Sequence, residues 1–427
     1  MVDTRKAQRF VIYTQVVGAP ILVLLQGPFM ITYLSRLGLS SARVLDMLAL
    51  LALVRTLIQP PLAYVGDRHG KKKLGYIGCS AVVLSMLGMG SLPGIPEDLR
   101  MVLLVCSILV YGLGGGLLGS VWFGLLAPLI HPEERGRFFA RLRMSWQFSS
   151  IILVAGVSWL LDRHSALSTY QIIFSAGFLL ACLRLVFFYR IPEVEPPTRS
   201  EASLWKSLLS LLEDARLRSF CSYAFLLSAA AAPLQFLFAL LMKDVAEFSE
   251  GRIVLAGNLT GVGAMMGFYV GGRMVDKLGT KSVFISAHLG YALLFAVTPL
   301  YALPGWPAFP HFASLCFLGG LISSASGIAM SSTVIGLSDG GAQRSLTTAL
   351  TNACIQLAPP VTLFLISRVL ELGLLAESWS LGGVALGPYD ALSFFAAVAV
   401  FLLLITLGLV PYSLHKPRPL PREGSSG

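Results

Sequence analysis

Charge is scarce in this 427-residue chain, where 22 Asp and Glu and 32 Lys and Arg make up only 13% of the residues. A water-soluble domain carries roughly twice that share, so a water-facing globule is excluded. The six cysteines, Cys79, Cys106, Cys182, Cys221, Cys316 and Cys354, form no CxxC pair, have no His partner, and all fall inside apolar runs. They read as small packing residues, which leaves neither a disulfide framework nor a metal site. No phosphate-cradling glycine loop, metal-ligand cluster or nucleophile motif occurs either. That argues against an ATP-driven pump and a membrane hydrolase, and the expectation is a protein that is no enzyme and takes no cofactor. A cleavable signal peptide is also missing, since Arg5, Lys6 and Arg9 precede the first apolar run and no small-residue cleavage site follows it.

What the chain has in abundance is apolar sequence. Hydrophobic residues make up 55% of it, and the mean hydropathy is +0.75. It belongs in a lipid bilayer, with a small molecule rather than nucleic acid as its partner. The net charge of +10 sits in short clusters between apolar runs and not along one soluble face. Runs long enough to cross a hydrocarbon core of about 30 Å are expected near 10–34, 44–65, 74–93, 101–130, 140–161 and 170–190, and again near 219–242, 253–275, 282–302, 311–336, 346–370 and 389–412. This predicts an all-α membrane protein of twelve spans in two six-helix bundles, 1–190 and 219–415. Between them, 191–218 opens on Pro192, Pro196 and Pro197 and continues as an amphipathic stretch with Leu204, Trp205, Leu208, Leu211 and Leu212. Such a linker should lie on the membrane surface. The tail, 416–427, ends in Gly424-Ser425-Ser426-Gly427, which has the composition of a vector-derived remnant.

The bases orient the chain. One side receives the N-terminus, Arg68 with Lys71 to Lys73, the cluster Arg135, Arg137, Arg141 and Arg143, the linker, Arg344, and Lys416, Arg418 and Arg422. The other receives little more than Arg36, Arg43, Arg100, Arg163, Lys243 and Arg252. By the positive-inside rule both termini are cytoplasmic in a multi-pass protein of the cell (inner or plasma) membrane, expected to act as a monomer.

A helix-ending signal occurs twice: Ala63-Tyr64-Val65-Gly66-Asp67-Arg68-His69-Gly70-Lys71-Lys72-Lys73, and Gly272-Arg273-Met274-Val275-Asp276-Lys277-Leu278-Gly279-Thr280-Lys281. Asp276 minus Asp67, Gly279 minus Gly70 and Lys281 minus Lys72 all equal 209. A second pair of basic turns, at Arg135 and Arg344, has the same offset, which marks an internal duplication. In these residues the chain resembles the major facilitator superfamily of secondary transporters, whose loop between spans 2 and 3 reads G-x-x-x-D-R-x-G-R-R/K and is echoed between spans 8 and 9. Ala63 and Lys71 stand where that family prefers Gly and Arg, and the second copy is shortened on its basic side.

The resemblance implies two halves rocking about a central site in alternating access, with spans 1, 4, 7 and 10 lining the cavity. It also implies that Asp67 faces the start of span 11 and Asp276 the start of span 5. A carboxylate there can accept hydrogen bonds from open helix N–H groups, so Asp67, Arg68, Gly70, Lys72, Asp276, Lys277, Gly279, Arg135 and Arg344 are candidate conformational latches.

Candidate substrate ligands are polar residues at mid-depth. Arg55 lies twelve residues before Asp67, about 18 Å along a helix, where an Arg normally faces a cavity or a partner. A cavity role and a pairing with a neighbouring helix are both open. Gln59 shares its face. Gln15, Gln26, Tyr111, Gln147 beside Trp146, Gln235, Asn258, and Asn352 with Gln356 one turn later are further candidates, each also able to join two helices. Gly112, Gly114, Gly115, Gly116, Gly119 and Gly327 read as close-packing or bending positions.

Spans 1, 4, 7 and 10 contain no carboxylate or His at mid-depth, so the usual equipment for proton coupling is not evident. Span 4 also lacks the buried Arg of proton-linked family members, and span 5 lacks the G-x-x-x-G-P-x-x-G-G run of drug antiporters. The leading expectation is transport of a small organic solute, anionic if Arg55 binds it. The alternatives are an exporter of amphipathic or drug-like compounds and a non-transporting receptor or scaffold on the same fold.

Overall fold

Long apolar runs in lipid have no water to satisfy their backbone, so they close their hydrogen bonds internally and become helices. The computed structural model describes residues 4–131, 134–194, 213–337 and 344–407, with side chains described except at positions 67, 135, 136, 335, 336, 344–349 and 407. In the N-terminal half the helices are α1 (Thr4–Gln26), α2 (Pro28–Arg36), α3 (Ser41–His69), α4 (Lys71–Ser91), α5 (Glu97–Leu126), α6 (Arg135–Arg163) and α7 (Leu167–Tyr189). The C-terminal half has α8 (Ala215–Ala231), α9 (Pro233–Asp244), α10 (Glu250–Leu278), α11 (Thr280–Val297), α12 (Ala308–Leu337), α13 (Arg344–Glu371) and α14 (Pro388–Leu407).

Two of the expected spans are broken. Span 1 divides into α1 and α2 at Gly27, whose backbone is extended, followed by Pro28, which has no N–H to donate. Span 7 divides into α8 and α9 at Ala232-Pro233. With each broken helix counted as one crossing, the fold is twelve membrane helices in two pseudo-symmetric six-helix bundles. Among the described residues, eleven helical segments are long and apolar enough to span. The twelfth crossing is the 29-residue α3, which carries Asp46, Arg55, Gln59 and the Pro60-Pro61 pair.

The duplication is visible in how helices begin and end. The Ser40 side chain accepts from the Arg43 N–H at the start of α3, and Ser249 accepts from the Arg252 N–H at the start of α10. Both helices are 29 residues long and stop at a glycine of positive φ, +100° at Gly70 and +82° at Gly279. A side chain at either glycine would be strained, which is why the repeat needs Gly there.

Inside each half, small residues let helices approach until backbones touch, the main source of attraction between helices in lipid. A Cβ at Gly263 of α10 would lie 1.9 Å from the Phe317 carbonyl oxygen of α12, and one at Gly267 2.2 Å from that of Leu321. On α5, Gly112 and Gly116 meet α3, and Gly114 meets Gly78 of α4, as the packing expectation required. Gly327 does not follow it. Among the described residues nothing lies within 4 Å of a Cβ there.

The halves join where α3 packs on α13, α6 on α10, and α2 on α9 and α10. A short antiparallel hairpin, β1 (Trp379–Leu381) with β2 (Val384–Leu386), fills the connection between α13 and α14, an addition to the expected all-helical chain. The central part of the expected surface linker, with Leu204, Trp205, Leu208, Leu211 and Leu212, lies outside the described residues, as does the tail.

Candidate functional site

A cavity of about 260 Å³ lies between the halves, at the depth where the first span of each half is broken. The N-terminal half contributes Gln26, Gly27, Pro28 and Phe29 from the first break, and Trp146 and Gln147 from α6. Across the gap stand Gln235 of α9, Asn258, Thr260 and Gly261 of α10, and Ser323 of α12. With Val23, Leu24, Val154 and Val254 beside them, the described lining combines an apolar wall and an indole with amides and hydroxyls and contains no charged side chain. Breaking the helices is what exposes this chemistry. At Gly27 the chain leaves helical geometry, so Gln26 ends α1 with its amide directed to the gap between bundles.

Four sequence candidates meet here: Gln26, Gln147, Gln235 and Asn258. Two of them also join the halves. Gln147 donates from Nε2 to the Gly261 carbonyl at 3.3 Å, and Asn258 donates from Nδ2 to the Ile151 carbonyl at 3.0 Å. Gln26 and Gln235 make no protein hydrogen bond among the described residues, so their amides are free for a ligand. Thr260 and Ser323 escaped sequence reading because single hydroxyls in apolar helices usually bond their own preceding turn.

The remaining candidates lie elsewhere. Arg55 and Gln59 rest against Gly115 and Gly119 of α5, and Tyr111 is buried one turn before Gly115. Asn352 and Gln356 are exposed on α13, where the Gln356 carbonyl accepts from Thr56 of α3 at 3.4 Å. Gln15 is partly exposed on α1 and lines no part of the cavity.

One end of the cavity is sealed by polar contacts between the halves, at the end opposite the Gly70 and Gly279 turns. Arg36 pairs with Glu250 at 3.0 Å. Ser41 donates to Asp244 at 2.7 Å and accepts from Lys243 at 3.2 Å. Ser249 donates to Asp162 at 2.5 Å, Ser158 to the Gly251 carbonyl at 2.8 Å, and Ser367 to the Ala42 carbonyl at 2.9 Å. Asp46 of α3 bonds Arg368 of α13. These residues were invisible as a set in the sequence because each bond spans dozens to hundreds of positions.

At the other end, Gly70 and Gly279 form the two turns. Arg68 stacks over the Tyr64 ring at 4.2 Å, and the Lys72 ammonium sits over the Tyr189 ring at 4.9 Å. Glu193, at the head of the linker, caps the start of α4 by accepting from the Lys71 and Lys72 N–H groups at 2.6 and 3.2 Å. A carboxylate on a helix N-terminus is favourable on both hydrogen-bond and dipole grounds, and no local motif announces it. Asp276 and Lys277 are exposed, and Asp276 makes no hydrogen bond or ion pair among the described residues. The side chains of Asp67, Arg135 and Arg344 lie outside the described residues.

A family model described as Major Facilitator Superfamily matches residues 16–363. No curated protein matches the chain. Among solved structures, the nucleoside transporter NupG superposes with a TM-score of 0.67 at 13% identity, covering 96% of this chain and 99% of its own. A POT family transporter in complex with 5-aminolevulinic acid gives 0.71 at 12% identity, covering 96% and 95%. A D-xylose-proton symporter gives 0.65 at 16% identity, covering 97% of both chains. At such identities the likeness is one of fold.

Proposed function

From a chain that belongs to the major facilitator superfamily, we propose a secondary transporter that moves a small organic solute by rocker-switch alternating access. The observation that carries this reading is the cavity between the halves, at the two helix breaks, with polar contacts closing one end. Its volume of about 260 Å³ is near the low end of ligand pockets, about 300–1,000 Å³, which suits a solute of modest size. Gln26, Gln235, Asn258, Thr260 and Ser323 offer donors and acceptors, and Trp146 offers a flat apolar face. That mixed lining, six polar side chains among Val23, Leu24, Phe29, Val154 and Val254, suits a solute with hydrogen-bonding groups on an apolar frame.

With both Gly turns and both termini on the cytoplasmic side, the sealed end faces outward. The conformation described is then the one closed to the outside, and the bonds of Arg36, Ser41 and Asp46 act as its external gate. A solute released from such a state leaves toward the cytoplasm, and the reverse tilt of the halves reopens the outer side. Counterflow in proteoliposomes tests this directly. Vesicles preloaded with an unlabelled solute from a panel of sugars, nucleosides, amino acids and carboxylates should transiently accumulate the same labelled solute. If no member of the panel is exchanged, while single cysteines in the cavity label from one side only, the transporter reading fails.

A further inference from the structure

The seam between α6 and α10 is closed by a ladder of hydrogen bonds. From the sealed end inward, Ser249 donates to Asp162 at 2.5 Å, Ser158 to the Gly251 carbonyl at 2.8 Å, Asn258 to the Ile151 carbonyl at 3.0 Å, and Gln147 to the Gly261 carbonyl at 3.3 Å. Each rung is longer than the one before, and the last lies in the cavity, which both Gln147 and Gly261 line. Gln147 is buried, yet its Oε1 makes no hydrogen bond among the described residues. An amide with one long bond to protein and an unused acceptor, placed beside a cavity, is poised to change partners.

The duplicated seam, between α3 and α13, lacks this last rung. There Ser367 donates to the Ala42 carbonyl at 2.9 Å. Because 367 minus 158 and 251 minus 42 are both 209, this bond is the repeat of Ser158 with Gly251. The same offset carries Gln147 to Gln356 and Gly261 to Ala52. Gln356 is exposed, and its side chain makes no hydrogen bond among the described residues. The difference has a steric cause. A Cβ at Gly261 would lie 2.8 Å from the Gln147 Nε2, so the seat for the amide exists only where the residue is glycine, and the methyl of Ala52 occupies the counterpart.

We propose that Gln147 couples the cavity to the outer seal: its amide leaves Gly261 for the solute, which loosens the α6–α10 seam from its inner end. The solute's part rests on the transport reading above; the part played by the seam does not. A ligand shifts an equilibrium only by binding the two states unequally, and a bond for which solute and protein compete supplies that inequality. Gln26 and Gln235 make no protein hydrogen bond among the described residues, so they bind without such leverage. Asn258 faces both cavity and seam, but its bond has ordinary length.

The test uses the full chain in nanodiscs, with the native cysteines replaced and spin labels at Arg163→Cys and Glu247→Cys, exposed positions beside the Ser249–Asp162 rung. Pulsed EPR distances then report the fraction of molecules with an open seam. Without solute, Gln147→Met, which keeps the length and removes the amide, should raise that fraction roughly twofold to tenfold, the scale of one neutral hydrogen bond. Gln356→Met should leave it unchanged. Gly261→Ala, which fills the seat, should match Gln147→Met, and the two combined should do no more than either alone, because they remove one contact. Should Gly261→Ala fold poorly, Gln147→Met against Gln356→Met decides. Uridine, D-xylose, alanine and succinate are then added in turn. Each that exchanges in counterflow should raise the open fraction of the parent and leave that of Gln147→Met where it was. The proposal is overturned if Gln147→Met opens no more often than the parent, if Gln356→Met opens as often as Gln147→Met, or if an exchanged solute leaves the parent unmoved or shifts both proteins alike. Absence of counterflow removes the transporter reading and the solute's part with it, while the solute-free comparison still decides whether Gln147 holds the seam.

Discussion

Gln26 and Gln235 face each other's half across the central cavity, and their numbers differ by 209, the offset of the Gly70 and Gly279 turns. Each belongs to a span that breaks beside it, at Gly27-Pro28 in one half and Ala232-Pro233 in the other. The duplication thus extends from the two Gly turns to the cavity, and two equivalent amides stand at equivalent places without a protein hydrogen bond among the described residues. If they bind solute, Gln26→Ala and Gln235→Ala should each raise the KM of counterflow by roughly twofold to tenfold, the worth of one neutral hydrogen bond of about 0.5–1.5 kcal/mol. Thermal stability should change little, since neither amide supports another helix. Equal KM values in parent and both variants would show that the solute is held elsewhere.

Gly263 and Gly272 of α10 should respond oppositely to a side chain. Gly263 touches the Phe317 carbonyl of α12, whereas a Cβ at Gly272 meets nothing within 4 Å. Gly263→Val should cost about 1–3 kcal/mol as an overpacked contact, visible as a lowered midpoint in thermal unfolding. Gly272→Ala should unfold with the parent. Since Ala is the better helix former, comparable losses at both positions would mean that the contact with α12 does not set the cost at Gly263.

The two Gly turns give a test of orientation. Lys72 and Lys281 follow Gly70 and Gly279 by two residues, and the hairpin tip at Gly382-Gly383 is at the opposite end of the bundle. In a background with the six native cysteines replaced, Lys72→Cys and Lys281→Cys should react with an impermeant maleimide only from the cytoplasmic side, and Ser380→Cys only from outside. Labelling of the two Lys positions from opposite sides would abolish the two-half arrangement.

Much of this architecture was legible because it is local. Hydropathy delimits eleven of the twelve crossings, the polar α3 being the exception, and a positive φ at Gly70 and Gly279 demands glycine whatever surrounds it. The breaks at Pro28 and Pro233 were not legible, since Pro inside an apolar run leaves hydropathy almost unchanged and membrane helices tolerate it. The same limit divides the site. A Gln or Asn in an apolar run signals a cavity or a helix contact, and only packing decides between them. Gln26 and Gln235 line the cavity, while Asn352 and Gln356 point away from it. Asp46 with Arg368, 322 positions apart, is a tertiary fact with no local trace.

The proposed external gate and the proposed cytoplasmic latches make opposed predictions, which together test the rocking mechanism. Asp46 bonds Arg368 in the described state, so Asp46→Asn removes a contact that this state alone is proposed to make. Both partners are partly exposed, and such a pair is worth about 1 kcal/mol or less, up to roughly fivefold in population. A cysteine at Asn258, in the cavity, should then label faster from outside. Asp276, by contrast, is exposed and unbonded here, so Asp276→Asn costs this state nothing. If Asp276 caps the start of α6 in the opposite state, its loss should slow external labelling by a similar factor, since a carboxylate at a helix N-terminus contributes about 0.3–1 kcal/mol. Asp67→Asn should act in the same direction, by the duplicated contact at the start of α13. Combining Asp46→Asn with Asp276→Asn should return labelling close to the parent rate, because the two residues lie at opposite ends of the molecule and their effects add. If both single variants shift labelling the same way, or if the double variant exceeds either one, gate and latch do not hold opposite states, and the rocking mechanism loses this support.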